Sequence, residues 1–418
     1  MKKILIIGAG TAGTMMAVHL SRKLNRKEWI ITILDKDENH YYQPGYLFIP
    51  FGIYTKKDVI RKGAKYIPAG VEYLLAEAEQ IVTGQNRVKL KDGREIAYDI
   101  LIIATGTNIH PEETEGMVEN GWRENIFDFY TADGTEALGK KMSGFTGGKV
   151  AIHVAEMPIK CPVAPLEIAF MTDWFFTKKG MRKDVQIDFV TPLAGAFSKP
   201  ATAKVMGNLL KERGINMVAD FGTERVEHGK LVSYDNRTVG YDLLITTPTN
   251  MGDALMARSG LGDDSNFIPT DMHTLQAQAK DNIFALGDAT NLPSSKAGSV
   301  VHFQAEILIE NILSYIQGKE LRASFDGHSN CFIESGYGKA FLIDFNYDLD
   351  PVEGTYPLPF LGPFSLLKET RLNHIGKLFM KFVYWNILLR GIPVPGISSK
   401  MGTAGKVIPE APGVTSKT

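Results

Sequence analysis

An α/β protein is predicted, with two dinucleotide-binding βαβ units followed by a C-terminal β-hairpin and amphipathic-helix region. Three observations lead there. The chain opens on the apolar run Lys3-Ile4-Leu5-Ile6-Ile7, which enters Gly8-Ala9-Gly10-Thr11-Ala12-Gly13 and then a helical pattern to about Lys23. A second run, Lys149-Val150-Ala151-Ile152-His153-Val154, also leads into a helical pattern, but without the glycines. Beyond residue 326 the strand–helix alternation stops, and two adjoining strand patterns precede a long apolar and basic stretch.

Composition bounds the rest. At 418 residues the chain exceeds what one hydrophobic core organises, so several domains are expected. A hydrophobic fraction of 44% and a charged fraction of 22% are those of a folded globular protein. The net charge of -1 argues against a nucleic-acid partner. The apolar run after Lys2-Lys3 ends in glycine after four residues, too short for a cleavable signal peptide. Cys161 and Cys331 are the only cysteines, too few for a disulfide scaffold. The histidines show no metal-ligand spacing, so no metal is expected.

In the first unit, a lone Gly-x-Gly-x-x-Gly is weak evidence. Here it follows a strand, opens a helix and is answered by a second strand, residues 29–34, ending in Asp35, 22 residues beyond Gly13. Glycines there let the backbone approach a diphosphate at a helix N-terminus, and the acid binds a ribose hydroxyl. The unit is therefore Rossmann-like. Residues 41–52, rich in aromatics, proline and glycine, have no helix or strand period and read as a loop with packed aromatic content. A hairpin with an Asp92-Gly93 turn follows, then a buried strand entering Ala104-Thr105-Gly106. Much later, Phe284-Ala285-Leu286-Gly287-Asp288 repeats the strand-then-acid arrangement, which places Asp288 where ligands bind in open α/β sheets. The domains are expected at residues 1–110 and 275–325 for the first unit, 111–274 for the second and 326–418 for the C-terminal region.

The second unit is informative by what it lacks. Its turn carries Cys161-Pro162 where glycines would cradle a nicotinamide dinucleotide, and its next strand ends in Thr191-Pro192 with no acid to bind a ribose. Pro165 suits a helix first turn, and Leu166, Ala169, Phe170, Trp174 and Phe175 give an apolar face. Helix amides facing Cys161 would favour its thiolate; an inert buried thiol is the competing reading. Glu167 in the first turn fits either proton transfer to Cys161 or plain complementarity to the helix dipole.

In the C-terminal region, Cys331-Phe332-Ile333-Glu334 and residues 339–345 read as strands around Gly336-Tyr337-Gly338. Ile375, Leu378, Phe379, Phe382, Trp385 and Leu389 then recur at helical spacing among Lys368, Arg371, Lys377, Lys381 and Arg390. The uncharged run from Phe382 to Leu389 is eight residues, against the roughly 20 needed to span a bilayer. Such a basic amphipathic segment fits surface-lying attachment, or packing on the protein's own core or a partner subunit.

Taken together, Gly8-x-Gly10-x-x-Gly13, Ala104-Thr105-Gly106 and Phe284-Ala285-Leu286-Gly287-Asp288 resemble the two-dinucleotide-binding-domain flavoproteins. Residues 43–48, 161–167, 296–306 and 331–334 extend this into a resemblance to the sulfide:quinone oxidoreductases over nearly the whole chain. By that resemblance Gly10 and Gly13 would contact the FAD diphosphate, Asp35 the adenosine ribose and Asp288 the ribityl chain. Gly8, Thr11, Ala12, Lys36, Ala104, Thr105, Gly106, Gly287, Lys296 and Gly298 complete the expected cofactor-binding set. Lys296 stands before a helical stretch whose positive end could face the flavin, and it adds charge there or is simply solvated. Tyr130 takes the place of a third cysteine carried by many members, so the FAD is expected to be noncovalent.

The activity implied is FAD-dependent oxidation of sulfide to polysulfide or sulfur, with electrons passing to a membrane quinone. Cys161, Cys331 and Glu167 would be catalytic. Hydrosulfide would open a disulfide or sulfur bridge between the cysteines, the released thiolate would be a low-pKa leaving group, and Phe332, Lys377 and Phe379 would line the quinone path. A peripheral, monotopic membrane protein and a homo-oligomer are expected. Three alternatives remain open: a type II NADH:quinone reductase-like enzyme, a flavin subunit passing sulfide electrons to a cytochrome, and a non-enzymatic redox sensor.

Overall fold

The computed structural model describes residues 1–394 and 396–408. Runs of buried aliphatics build a five-stranded parallel sheet in the order Ile283–Ala285, Ile100–Ile103, Lys2–Ile7, Trp29–Asp35, Glu72–Leu75. Strands covered on both faces need continuous apolar runs, and Ile100–Ile103 is buried at every position. The helices Thr11–Lys23 and Gly298–Ile316 share the core on one face of this sheet. A three-stranded antiparallel sheet, Ala78–Val82, Arg87–Leu90 and Glu95–Ala97, contributes to the core on the other. Its Asp-Gly turn is where the sequence places it, with Gly93 at φ +87°.

The second parallel sheet has the order Ile126–Asp128, Leu243–Thr247, Gly148–Val154, Val185–Val190, Asn216–Val218. An antiparallel ribbon of Thr107–His110 with Thr249–Gly252 joins the two units. Leu255, Met256, Leu261 and Ile268 already pack in the first unit's core. These side chains cover the outer face of its sheet.

Two stretches carry local structure that the sequence did not signal. Gln43–Phe48, read as loop, is a 3-10 helix with Tyr46, Leu47 and Phe48 buried; two short turns are too brief to show a period. Residues 354–366 form a hairpin, Gly354–Leu358 with Gly362–Leu366, whose tip exposes Phe360 and Leu361 at 83% each. The C-terminal sheet has the order Ser329–Gly336, Lys339–Phe345, Gly362–Leu366, Gly354–Leu358. The helix Arg371–Asn386 packs on it, with the Thr370 hydroxyl capping Asn373 N–H.

The apolar positions of that helix divide between two faces. Tyr384 and Trp385 are buried, and Trp385 packs on His40 and Tyr66. Leu372, Ile375, Phe379 and Phe382 point outward, each more than half exposed. Trp385 is thus a core residue and not part of a surface-seeking face. Among the described residues no helix is long and apolar enough to cross a membrane.

Candidate active site

A cavity of about 440 Å3 runs from the glycine turn to both cysteines. Its floor at one end is built by close backbone approach. Gly8 sits at φ +101°, and a Cβ there would lie 2.3 Å from Ala104 O; at Gly13 it would lie 1.8 Å from Gly8 O. At Gly10 nothing lies within 4 Å of that position, so the backbone faces open space. The helix Thr11–Lys23 has no acid in its first turn, which leaves its amides and its positive end to an anion. Asp35 braces the turn, accepting Ala9 N–H at 2.5 Å and Asp37 N–H at 2.9 Å. Burial pushes its carboxyl upward against those hydrogen bonds.

In the middle of the cavity, Gly287 at φ +73° turns the chain into Asp288, and Gln304 Oε1 accepts the Gly287 N–H at 2.7 Å. Lys296 is buried, not solvated: its Nζ donates to Asp288 O at 3.2 Å and Thr290 O at 2.5 Å, over the Phe267 ring. Burial, only partly opposed by Asp288 and Asp263, lowers it to about 8. The helix Gly298–Ile316 starts at the cavity wall with no acid in its first turn. The Thr105 hydroxyl is buried without a partner among the described residues.

At the far end the two cysteines come from distant parts of the chain. Cys161 lies three residues before the helix Ala164–Lys178, in the left-handed region at φ +51°. Its N–H donates to Lys296 O at 2.8 Å, and its carbonyl accepts Ala164 N–H at 2.9 Å. Cys331 is on the strand Ser329–Gly336, opposite Ile343. Both are free thiols, and both line the cavity. Tyr130, also lining it, directs its hydroxyl toward Cys161 O at 3.5 Å.

The expected low thiol pKa is not what this protein environment produces. Burial, then the Glu167 carboxylate, push both thiols up, Cys331 to about 12 and Cys161 further; Lys377 opposes this. Cys161 stands outside the helix, so the amides do not offset its burial. Glu167 is itself buried, accepts Glu334 N–H at 2.6 Å and is ion-paired with Lys377. Burial holds its carboxyl above the usual range even beside that ammonium.

Most of the expected site residues meet here. Gly8, Gly10, Thr11, Ala12, Asp35, Ala104, Thr105, Gly106, Gly287, Asp288, Lys296, Gly298, Cys161, Cys331, Glu167, Phe332 and Lys377 all line the one cavity. Three fall outside it. Gly13 lies beneath Gly8 as a packing glycine. Lys36 reaches away to Asp253 at 3.5 Å. Phe379 is 55% exposed and stacks on Phe382 on the outer face of its helix. The cavity also takes in His40, Lys160 and Tyr384. Lys160 adjoins Cys161 and was within reach of the sequence; His40 and Tyr384 carry no local signal.

Residues 2–304 match the family model of the pyridine nucleotide-disulphide oxidoreductases. The mitochondrial sulfide:quinone oxidoreductase of Dictyostelium discoideum is 31% identical over 93% of this chain and 86% of that protein. The chain belongs to the sulfide:quinone oxidoreductase family. The mouse mitochondrial sulfide:quinone oxidoreductase is 27% identical over 93% of this chain and 86% of its own length. The crystal structure of the sulfide:quinone oxidoreductase from Aquifex aeolicus superposes with a TM-score of 0.78 at 20% identity, covering 94% of this chain and 92% of that one. FAD is the cofactor of this family, and the cavity fits it. The open Gly10, the acid-free helix start and the unpartnered Thr105 hydroxyl are what a diphosphate and its attached groups require.

Proposed function

We propose that this sulfide:quinone oxidoreductase family member oxidises sulfide at a Cys161–Cys331 bridge and passes the electrons by way of FAD to a quinone. The observation that carries this is the meeting of both cysteines in one cavity with the diphosphate cradle and the buried Glu167–Lys377 pair. Gly8, Gly10, Thr11 and Ala12 hold the diphosphate through backbone groups, Asp35 serves the adenosine ribose, and Asp288 the ribityl chain. FAD, when bound, supplies a two-electron acceptor that can be reoxidised by quinone.

The protein's own groups do the sulfur chemistry. The two free thiols would first be joined by loss of two protons and of two electrons, which FAD would accept when bound; hydrosulfide then attacks one sulfur of the bridged pair, the S–S bond breaks, one cysteine leaves as thiolate and the other becomes a persulfide. The persulfide proton passes to Glu167, whose raised carboxyl is suited to hold it. Lys377 stabilises the departing thiolate, which the protein environment otherwise disfavours. Rejoining of the Cys161 and Cys331 persulfide and thiolate anions as a trisulfide would release two electrons, which FAD would accept when bound. A neutral thiol would not act as the nucleophile, so the ammonium compensates for burial.

Electron donation by a nicotinamide finds no support in the second unit. Where a diphosphate would sit after the strand Gly148–Val154, the turn carries Glu156, whose charge would repel it. Quinone approaches past Phe332 and Lys377, near the outward face formed by Leu372, Ile375, Phe379 and Phe382. That face is exposed and apolar, of the kind that marks an interaction surface, and it serves peripheral membrane attachment. The deciding experiment is anaerobic stopped-flow mixing with sulfide and, separately, with NADH. Flavin bleaching by sulfide and its reoxidation by added quinone are expected; bleaching by NADH alone would overturn the proposal.

A further inference from the structure

His40, Tyr384 and Thr11 form a hydrogen-bonded chain along the cavity wall, and its direction is fixed by elementary donor counting. His40 Nδ1 lies 3.1 Å from Ala9 O, and a carbonyl can only accept, so Nδ1 carries the hydrogen. In a neutral imidazole Nε2 then accepts, and the Tyr384 hydroxyl at 2.6 Å must be its donor. Tyr384 has no second hydrogen, so the Thr11 hydroxyl, 2.7 Å away, donates to it. Thr11 therefore spends its only hydrogen on Tyr384 and has nothing but lone pairs for the cavity. This is the wrong polarity for an anion, yet Thr11 is the first residue of the helix whose positive end faces the diphosphate site.

We infer that His40 and Tyr384 are positioning residues for the cofactor diphosphate, and that bound diphosphate is accompanied by one proton on His40. With Nε2 protonated, Tyr384 accepts from His40 and donates to Thr11, and the Thr11 O–H is freed to donate to a phosphate oxygen. One proton added at one end of the chain reverses both hydroxyls. The bond to Ala9 O is kept throughout. This rests on the reading of the cavity as the FAD site.

The surroundings suit a ring that is neutral without the anion and charged with it. Burial holds His40 down to about 4, against the Ala9 hydrogen bond. The charged groups around it are already partnered. Arg61, opposite it in the strand register, lies over Trp385 and bonds Tyr66. Asp35 accepts Ala9 N–H, and Asp37 accepts Tyr41 O–H. The C-terminal helix brings only Tyr384 and Trp385. Arg61 has no carboxylate partner among the described residues, and a dianionic diphosphate would bring to this wall the negative charge that favours a protonated ring.

The test uses the flavin-bound protein with 15N-labelled histidine, compared with Tyr384→Phe and Thr11→Val. In the parent protein the His40 ring should carry both hydrogens at pH 6, and flavin release, followed by fluorescence, should accelerate by up to about tenfold per pH unit above the His40 titration. Either variant breaks the chain while keeping the packing, so His40 should stay neutral at pH 6 and the pH slope of release should vanish. A neutral His40 in the flavin-bound parent, or an unchanged slope in Tyr384→Phe, overturns the inference while leaving the FAD site standing. Protein that binds no flavin at all overturns the cofactor reading and this inference with it.

Discussion

Lys377 Nζ, on the C-terminal helix, closes on the Glu167 carboxylate in the first turn of the helix after Cys161, across 210 positions of sequence. The pair sets the charge felt by both thiols, with the carboxylate raising them and the ammonium lowering them. Glu167→Gln removes the raising charge and keeps the shape. Cys161 should then react with iodoacetamide at lower pH than in the parent, while Lys377→Met should move the reaction to higher pH. Lys377→Met also leaves a buried carboxylate unpaired and should cost about 3–5 kcal/mol in denaturant unfolding.

Cys161→Ser and Cys331→Ser should each abolish flavin reduction by sulfide and leave the flavin bound and bleachable by dithionite. On the proposed mechanism each supplies half of the bridge that hydrosulfide opens, and neither belongs to the glycine turn. Anaerobic titration of each variant with sulfide decides it; normal bleaching in either would remove that cysteine from the mechanism.

The flavin should come free on acid precipitation. Tyr130 occupies the cavity wall beside Cys161, and a phenol held well above its ordinary pKa by burial offers no linking nucleophile. Colour in the washed pellet would contradict this.

Phe379→Ser and Phe382→Ser, both more than half exposed in the parent, should lower co-sedimentation with phospholipid vesicles and slow quinone-dependent turnover. Sulfide-driven bleaching should be unaffected. Burying a Phe side chain is worth roughly 1.5–3 kcal/mol, so the double variant should lose vesicle binding about a hundredfold or more. Unchanged sedimentation would sink the attachment reading.

Asp344 is buried with His328 at 2.8 Å and with Lys406. Burial alone would raise its carboxyl, but the His328 hydrogen bond and the two positive partners hold it below the ordinary range. A depressed acid contributes stability that is present above its unfolded pKa of about 3.9 and lost as pH falls through its folded value. Lys406→Met should therefore lower the melting temperature at pH 7 and narrow the gap to the parent under acid conditions. A gap independent of pH from 7 to 3 would show that the charge pairing is not its cause.

Local geometry was the legible part of this protein. The glycine turn is fixed by contacts within about 100 residues, Gly8 against Ala104 and Gly13 against Gly8, and the Asp35 spacing repeats a known arrangement. The meeting of Cys161 with Cys331 came only through resemblance, because nothing within either stretch specifies the other. Helical periodicity located the segment 371–386 but could not assign its sides. Phe379 and Trp385 share one apolar pattern, yet one faces out and the other packs on His40. Lys377, expected along the quinone path, and Tyr384, which the pattern did not mark, turn inward to Glu167 and His40. Long-range pairing of polar groups leaves no periodic trace.

The first sheet takes its outermost strand, Ile283–Ala285, from far beyond its neighbour Ile100–Ile103. On the ribosome the 180 residues from Ile103 to Ile283 take roughly 9 to 36 s to emerge at 5–20 residues per second. Through that interval a fully apolar strand presents an unpaired edge, a template for association with other nascent chains. The second sheet, closed by Leu243–Thr247, is complete earlier and can shield its neighbour. On the proposed reading, cofactor loading waits for Lys377, Tyr384 and Leu388, the last residues of the cavity wall to be made. A chain stalled before them would carry the glycine turn and both cysteines, and still lack the wall that holds the flavin in.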